Sequence, residues 1–440
     1  NLTGTATTGN GITNLNAIFN DVFTNVTNTS HTVVYTVIPY FGSCAGDPFT
    51  ITVTVTPEPV VANQTGMACS DAPNGIILPA TDIDGLAITA YDVSVNVDPD
   101  LMAAVTNATL PAMNTSNINL IANDQYTNTT NTDQDVVYTV TPYAGDCAGT
   151  PFTITVTIKS EPVVANKTGM ACSDSDINTV LPATDDDGLV ITAYDISVNI
   201  DIDLTADGAN AVLPASGVTD VNFLSGDQYN NKTNAVQDVV YTVIPYAGAC
   251  PGNPFTITVT IKPEPIGASE LVSVCSDVAA GVVLDDDVDG PAIVSYTITS
   301  INKAGLTASA GNPETDSGLA ANVIADDAWT NTGNTLANVV YAIIPVGTNG
   351  CEGDVFTITI SVSPEPVVAD QVLTVCSDAP LGLSLGNDAD GPAATTYNIT
   401  NIFNNSLTAS AGSPVTGPGQ NASVIADDAW TNTTNVSVNV

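Results

Sequence analysis

The chain contains no arginine, and its only cationic side chains are five lysines, against 46 aspartates and glutamates. Because nucleic-acid binding requires clustered cations to neutralise phosphates, this composition excludes a nucleic-acid partner. It also disfavours an anionic membrane surface, which attracts basic segments. The formal net charge of −41 is instead compatible with binding of divalent cations, or with mutual repulsion in salty water.

Long apolar runs and catalytic motifs are also missing. No stretch of about 18 apolar residues occurs, so the sequence predicts no membrane insertion. No initiator methionine, signal peptide or sorting tail is visible, and we interpret the sequence as a window of a longer secreted protein. His31 is the only histidine and has no supporting catalytic motif around it. We therefore expect no catalytic residue and no enzyme activity.

What the sequence does contain is a segment that occurs four times. The first copy, "VVYTVIPYFGSCAGDPFTITVTVTPEP", spans residues 33–59, and three variants follow it. The tyrosines of its first strand lie 103, 103 and 100 positions apart: Tyr35, Tyr138, Tyr241 and Tyr341. A period near 100 residues equals one small domain and exceeds the roughly 20–50 residues of a solenoid repeat.

The period divides the chain into five predicted units. The first unit (1–59) is the C-terminal part of a repeat, and the fifth (367–440) is the N-terminal part of another. The second (60–162), third (163–265) and fourth (266–366) units are complete. The fourth and fifth form a second subtype, with "DDAWTNT" where the second and third have "NDQYTNT" and "GDQYNNK".

Each unit is predicted to consist of β-strands. In "PFTITVTV", apolar residues alternate with threonines, the period of two expected for a strand with one buried face. "VVYTV", "GIILPAT" and "LAITAYDVSV" are further predicted strands, and the turn signal "DIDG" separates the last two. No segment has a sustained helical period. The sequence thus predicts an all-β chain, a tandem array of immunoglobulin-like β-sandwich domains joined head to tail by proline-containing linkers.

These residues carry a family resemblance. "DVVYTVTPYAGDCAGTPFTITVTIKSEPVV", followed by "CSD", resembles the PKD-like or Ig-like repeats of giant Bacteroidetes surface proteins. Those proteins are gliding-motility adhesins and related extracellular filaments exported by the type IX secretion system. The resemblance covers the whole chain through its repeats. It implies an extracellular, cell-surface location.

Two functions fit such repeats. The first is a structural shaft that presents a distal binding region and bears tension. The alternative is that the repeats themselves bind glycans or proteins. The partners expected are neighbouring repeats of the same longer chain, identical chains in a filament or bundle, and, through regions outside this sequence, surface glycans or prey or host surfaces.

The eight cysteines form two sets: four loop cysteines (Cys44, Cys147, Cys250, Cys351) and four "CSD" cysteines (Cys69, Cys172, Cys275, Cys376). Pairing across a linker, as in Cys44–Cys69, would require the chain to fold back along a whole domain. A strand of about ten residues spans roughly 33 Å, whereas a disulfide needs Cα atoms within about 7 Å. We therefore predict pairing within units, as Cys69–Cys147, Cys172–Cys250 and Cys275–Cys351, with Cys44 and Cys376 free or paired elsewhere. Free or metal-bound thiols are the alternatives, although no clustered Cys or His set suits zinc.

A second recurring motif, D-x-D-G, supplies candidate metal ligands: Asp82, Asp84, Asp185, Asp187, Asp287, Asp289, Asp388 and Asp390. We expect it at the leading end of each unit, which faces the preceding unit, together with the "CSD" aspartates Asp71, Asp174, Asp277 and Asp378. Packed carboxylates repel one another unless a cation joins them, and calcium prefers six to eight oxygens. These aspartates are therefore candidate ligands of a structural calcium ion. The alternative is an Asp-Gly turn with solvated carboxylates.

A third recurring pair places an aspartate two residues before an aromatic residue, as in Asp124 and Tyr126 or Asp327 and Trp329. Exchange among Phe, Tyr and Trp at the aromatic position favours a buried residue. The alternative is an exposed platform on which sugars stack.

Overall fold

The computed structural model describes residues 2–284, 290–386 and 391–440. Within these ranges every regular element is a β-strand. The prediction of an all-β chain is confirmed. Asp287, Asp289, Asp388 and Asp390 lie outside the described residues.

The first unit contains six strands: β1 (Thr3–Gly4), β2 (Phe23–Thr24), β3 (His31–Val37), β4 (Tyr40–Phe41), β5 (Cys44–Ala45) and β6 (Phe49–Val55). Strands β3 and β6 pair antiparallel. They are the two strands that "VVYTV" and "PFTITVTV" predict.

The second unit contains eight strands: β7 (Gln64–Cys69), β8 (Ala90–Val97), β9 (Met102–Ala103), β10 (Ala112–Thr115), β11 (Tyr126–Thr127), β12 (Gln134–Ala144), β13 (Cys147–Ala148) and β14 (Phe152–Lys159). The main sheet has the order β10-β8-β12-β14-β7, and β13 pairs with β12. Strands β9 and β11 form a separate two-stranded sheet, so the unit has one large sheet and one small one.

The third unit repeats this plan with β15 (Lys167–Cys172), β16 (Ala193–Ile200), β17 (Thr205–Ala206), β18 (Ala215–Val218), β19 (Tyr229–Asn230), β20 (Gln237–Ala247), β21 (Cys250–Pro251) and β22 (Phe255–Lys262). The fourth has β23 (Glu270–Cys275), β24 (Ile293–Asn302), β25 (Thr307–Ala310), β26 (Ala328–Thr330), β27 (Ala337–Gly347) and β28 (Phe356–Ser363). Its main sheet has the order β23-β28-β27-β24. The fifth has two pairs of short strands, formed by β29 (Tyr397–Ile399), β30 (Thr408–Ala411), β31 (Gly417–Gln420) and β32 (Ala429–Thr431).

The first strand of each complete unit runs parallel to the last one. In the second unit, β7 pairs with β14, and Cys69 lies opposite Lys159. Both strands therefore end at the trailing end of the unit, the end that faces the next unit. The sequence pattern missed β7 because "QTGMAC" lacks an apolar alternation.

The predicted strand "GIILPAT" is wrong. Residues 75–80 belong to no strand, although Gly75 N donates to Ala122 O and Leu78 N to Ile118 O. Leu78 is buried in the core. Leu78 therefore packs into the core of the unit from an irregular segment, while Ile77 is exposed.

Each complete unit has its own hydrophobic core. In β14, Phe152, Ile154, Val156 and Ile158 are buried, and the intervening threonines are half-buried. Burying one such side chain contributes about 1.5–3 kcal/mol. Three separate cores mean that the chain is a series of domains, and the contacts between successive domains form its candidate site.

Candidate functional site

Two disulfides link successive units. Cys69 in the second unit is bonded to Cys250 in the third, with their Cα atoms 5.3 Å apart. Cys172 in the third unit is bonded to Cys351 in the fourth, with their Cα atoms 5.5 Å apart. The "CSD" cysteine of one unit thus pairs with the loop cysteine of the next.

The predicted pairs Cys69–Cys147, Cys172–Cys250 and Cys275–Cys351 are therefore wrong, and so is the scheme across a linker. The reason is the direction of the first strand. Because β7 and β14 are parallel, Cys69 lies at the trailing end of its unit. The loop cysteine lies at the leading end, so the two cysteines of one unit are a domain length apart. Four cysteines are free in this structure: Cys44, Cys147, Cys275 and Cys376.

The leading end of each complete unit closes on the linker through a glycine two residues after the loop cysteine. A Cβ atom on this glycine would lie 1.8–2.0 Å from the carbonyl oxygen of the linker proline. The three pairs are Gly149 with Pro59, Gly252 with Pro162 and Gly353 with Pro265. No side chain fits there, so the C-x-G motif fixes where the linker enters the unit.

The first aspartate of D-x-D-G holds the same linker. In the third unit, Asp185 Oδ1 accepts hydrogen bonds from Asp187 N (3.0 Å) and Leu189 N (2.8 Å). Its Oδ2 accepts one from Val163 N (3.0 Å). Asp82 makes the equivalent three bonds in the second unit. These carboxylates organise the turn and the linker, which agrees with the turn part of the Asp-Gly interpretation, but they are buried rather than solvated.

The D-x-D-G loop also contacts the preceding unit. Asn28 Nδ2 donates to the carbonyl oxygen of Asp84 at 2.8 Å, and Asn131 Nδ2 donates to that of Asp187 at 3.2 Å. The expected position at the leading end therefore agrees with the structure. The contact uses the backbone of Asp84 and Asp187, while both side chains remain exposed.

The "CSD" aspartates were expected at the leading end, but they lie at the trailing end. The reason is that they follow the first strand, which runs parallel to the last one. All four have left-handed backbone conformations, with φ of 58° at Asp71, 57° at Asp174, 63° at Asp277 and 66° at Asp378. Asp tolerates this region better than most residues do. The carboxylate of Asp174 accepts from Asn230 Nδ2 at 2.7 Å, and those of Asp277 and Asp378 accept from Thr330 and Thr431.

In the complete units, each of these aspartates lies beside another carboxylate, the glutamate of the Glu-Pro linker. Glu161 and Glu264 are each only 2% exposed. Burial and then the charge of Asp71 raise the pKa of Glu161. Burial, followed by the charges of Asp174 and Asp354, raises the pKa of Glu264 to about 7. No role was predicted for this glutamate from the sequence, although its recurrence before the linker proline, at Glu58, Glu161, Glu264 and Glu365, was the available signal.

The joint between the third and fourth units gathers three carboxylates around one ammonium. Oxygen atoms of Asp174, Glu264 and Asp354 lie within 4.8 Å of one another. Lys232 Nζ is 2.7 Å from Asp354 Oδ2 and 3.7 Å from Glu264 Oε1. Asp354 comes from the fourth unit and the other side chains from the third, so this ionic cluster bridges the joint.

The recurring Asp and aromatic pair lies in the core. Tyr138 Oη donates to Asp124 Oδ2 at 2.8 Å, and the hydroxyls of Tyr126 and Tyr138 are 3.0 Å apart. Tyr126 is 3% exposed and Trp329 is fully buried. The prediction of buried aromatics is confirmed at these positions, which therefore cannot stack on sugars.

A groove lies beside the Cys69–Cys250 disulfide at the joint between the second and third units. Its volume is about 680 Å³, and its walls include Met67, Leu189 and Ala249. Lys159, on its rim, pairs with Asp133 at 2.6 Å. Among the described residues, no helix has the length and apolar character needed to cross a membrane.

A family model described as "PKD-like domain" matches residues 1–59, 89–162, 210–265 and 272–366, more than half of the chain. No curated protein sequence matches the chain. Among solved structures, Drosophila N-cadherin EC1-4 is similar at 9% identity, over 76% of this chain and 84% of that one, with a TM-score of 0.19. Human CDH23 EC21-23 is similar at 12% identity, over 70% of this chain and 99% of that one, with a TM-score of 0.21.

Proposed function

Because the chain belongs to the PKD-like domain family, we propose that it is a shaft segment of a giant secreted surface adhesin or extracellular filament. The observation that carries this proposal is the pair of disulfides between successive units. Each disulfide adds a second covalent connection to a joint that already has a proline linker. A joint held at two points resists bending and keeps the units together when the chain is pulled.

The same disulfides support the proposed location. Disulfides form and persist in oxidising environments and are rare in reducing ones. An extracellular chain of this kind would contact neighbouring repeats of the same longer protein and identical chains in a bundle. Attachment to the cell surface, gliding motility and type IX secretion are parts of the proposal that rest on the sequence resemblance.

PKD-like repeat domains are typically non-catalytic. We propose the same for this chain, because the most strongly perturbed described side chains belong to core or joint contacts. Tyr138 and Tyr241 donate to buried aspartates, and Glu264 faces other carboxylates. These contacts stabilise the fold.

Calcium is the proposed structural cofactor. Asp82 and Asp185 already accept three backbone hydrogen bonds each, so we propose that the acid pairs at the trailing ends contribute more to such a site.

The second candidate function is that the units bind glycans or a protein. The groove beside Cys69–Cys250 favours it, because apolar walls and a charged rim are typical of recognition sites. A glycan array probed with the whole chain distinguishes the two functions: selective binding would support the second.

Small-angle scattering tests the shaft. The oxidised chain should be extended, with a narrow distribution of interatomic distances. A variant with Cys69→Ser, Cys250→Ser, Cys172→Ser and Cys351→Ser should show a broader distribution, because its joints keep only the linker. Cys44→Ser with Cys376→Ser is the matched control, since both thiols are free and exposed. A compact oxidised chain, or four serines with no effect, would contradict the shaft.

A further inference from the structure

Two successive joints differ in how the buried linker glutamate is satisfied. At the joint between the third and fourth units, Glu264 Oε1 accepts from Asn230 Nδ2 at 3.1 Å and faces Lys232 Nζ at 3.7 Å. The Lys232 ammonium also contacts Asp354 Oδ2 at 2.7 Å. A cation therefore already sits among the carboxylates of this joint, and the chain itself supplies it.

At the preceding joint, no such cation comes from the residues that the structure describes. Aligning "DQYTNTTN" with "DQYNNKTN" places Thr127 where the third unit has Asn230, and Thr129 where it has Lys232. The Thr127 hydroxyl donates to Asp71 instead. Lys159, the cation nearest in sequence, is paired with Asp133. The Asn230 amide and the Lys232 ammonium, which contact Glu264 Oε1, are thus replaced by two threonines. Neither threonine contacts Glu161 Oε1.

The result is an unpartnered buried oxygen. Glu161 is 2% exposed, and its Oε1 has no hydrogen-bond partner among the described residues. Its neighbour Asp71 is a second carboxylate, close enough for its charge to act on Glu161. Burying an unpaired charge costs several kcal/mol, so native structures rarely leave one uncompensated.

We propose that Glu161 and Asp71 bind a divalent cation of the calcium type, at the position that the Lys232 ammonium takes in the next joint. The ligands are all oxygens, which suits a hard cation such as Ca²⁺. Asn253, which stands where the fourth unit has Asp354, offers a further oxygen from the neighbouring unit. This assignment rests on the calcium part of the proposed function and is independent of the mechanical part.

The same reasoning makes Lys232 an internal substitute for the metal. Removing its ammonium would leave Asp174, Glu264 and Asp354 with oxygens within 4.8 Å of one another and no internal cation. Three carboxylates at this spacing favour a divalent ion more strongly than two. Lys232→Thr, which copies the residue of the preceding joint, should therefore create a calcium site.

Isothermal titration of the whole 440-residue chain with CaCl₂ tests both joints. Glu161→Gln, which keeps the shape and removes the charge, should lose one equivalent of bound calcium or at least tenfold in affinity at that site. Asp71→Asn should do the same. Lys232→Thr should gain one equivalent. Asp100→Asn, an exposed acid of the same unit that no described contact places beside Glu161, should match the unchanged chain.

Several results would overturn the assignment. One is unchanged calcium stoichiometry and affinity in Glu161→Gln and Asp71→Asn, which would mean that Glu161 takes a proton instead. Another is a Lys232→Thr chain that gains no calcium. Circular dichroism of each variant checks that it folds. If Glu161→Gln does not fold, Lys232→Thr still tests the assignment. Scattering reports the shaft separately, so a chain that is extended but binds no calcium in the titration would defeat this assignment and spare the mechanical part of the proposed function.

Discussion

Cys69 and Cys250 stand 181 positions apart in the sequence, and their Cα atoms lie 5.3 Å apart. The bond joins the last residue of the first strand in one unit to the leading loop of the next. The two disulfides therefore connect successive repeats and do not close a loop within one repeat. The covalent reinforcement is placed between repeats, where a string of domains bends most easily.

Peptide mapping under non-reducing conditions should find Cys69 joined to Cys250 and Cys172 joined to Cys351. The physical reason is that parallel first and last strands carry the "CSD" cysteine to the trailing end. Peptides joining Cys69 to Cys147 would contradict this arrangement. Alkylation before proteolysis is the control, because it blocks exchange between free and bonded thiols.

Gly252→Ala should loosen the joint between the second and third units. The added methyl would lie 2.0 Å from the Pro162 carbonyl oxygen, so either the loop or the linker must move. We expect a destabilisation of about 1–3 kcal/mol, as for other overpacked sites. Gly208→Ala is the matched control, since nothing lies within 4 Å of its added Cβ. Hydrogen exchange of peptides around Cys250 and Pro162 should speed up in the first variant and stay unchanged in the second.

Asp185→Ala should destabilise the leading turn of the third unit. It removes the acceptor of three backbone N–H groups, those of Val163, Asp187 and Leu189, at a site that is 7% exposed. Leaving a buried donor unsatisfied costs about 1–3 kcal/mol. Asp187→Ala is the control, because its side chain is exposed. Unfolding monitored by exchange of residues 163–190 should distinguish the two, and equal effects would contradict the role of Asp185.

The sequence predicts the strands in which apolar and polar residues alternate, but not the strands that lack this alternation. "FTITVTIK" alternates cleanly, and every apolar residue of β14 is buried. "QTGMAC" has glycine and polar residues on both faces, so nothing in it indicated a strand. The disulfide error follows from this one missing strand, because its parallel direction decides at which end Cys69 lies. Glu161 is buried beside Asp71, which follows the same strand, so its environment could not be predicted without that strand.

Tyr241→Phe should destabilise the core of the third unit. The Tyr241 hydroxyl donates to Asp227 Oδ2 at 2.8 Å and lies 2.8 Å from that of Tyr229, and all three side chains are buried. Deleting the hydroxyl leaves a buried carboxylate oxygen without its donor, at a cost of about 1–3 kcal/mol.

Tyr246→Phe is the matched control in the same strand. Its hydroxyl donates to Asp195 at 2.9 Å in a part-buried setting, where water can replace it. Chemical denaturation followed by hydrogen exchange of β20 should show a larger loss for Tyr241→Phe. A smaller loss than for Tyr246→Phe would contradict the importance of the buried network.

The fourth unit should lose stability as the pH rises through the acidic range, because of Asp327. Burial, and to a lesser extent the charge of Asp326, raises the pKa of Asp327 above its ordinary value, while the hydrogen bond from Tyr341 opposes the shift. In the unfolded chain Asp327 ionises near its ordinary value, about 3.9, whereas the folded unit holds the proton longer. The neutral form is therefore favoured by folding. The stability it contributes is present below the ordinary pKa and is lost as the pH rises through the folded value.

Fluorescence of Trp329, which is fully buried in this unit, measures that loss, once Trp430→Phe has removed the other tryptophan. In that background, Asp327→Asn should flatten the dependence, because asparagine carries no ionisable proton. Asp326→Asn should move the transition to lower pH, since it removes a charge that raises the pKa of Asp327. Asp316→Asn, an exposed acid in the same unit, should leave the curve unchanged. If the difference in stability between the unchanged unit and Asp327→Asn instead grew with rising pH, Asp327 would have to be ionised and favoured in the fold. The tyrosine hydroxyl at 2.6 Å would then outweigh the burial of the carboxylate.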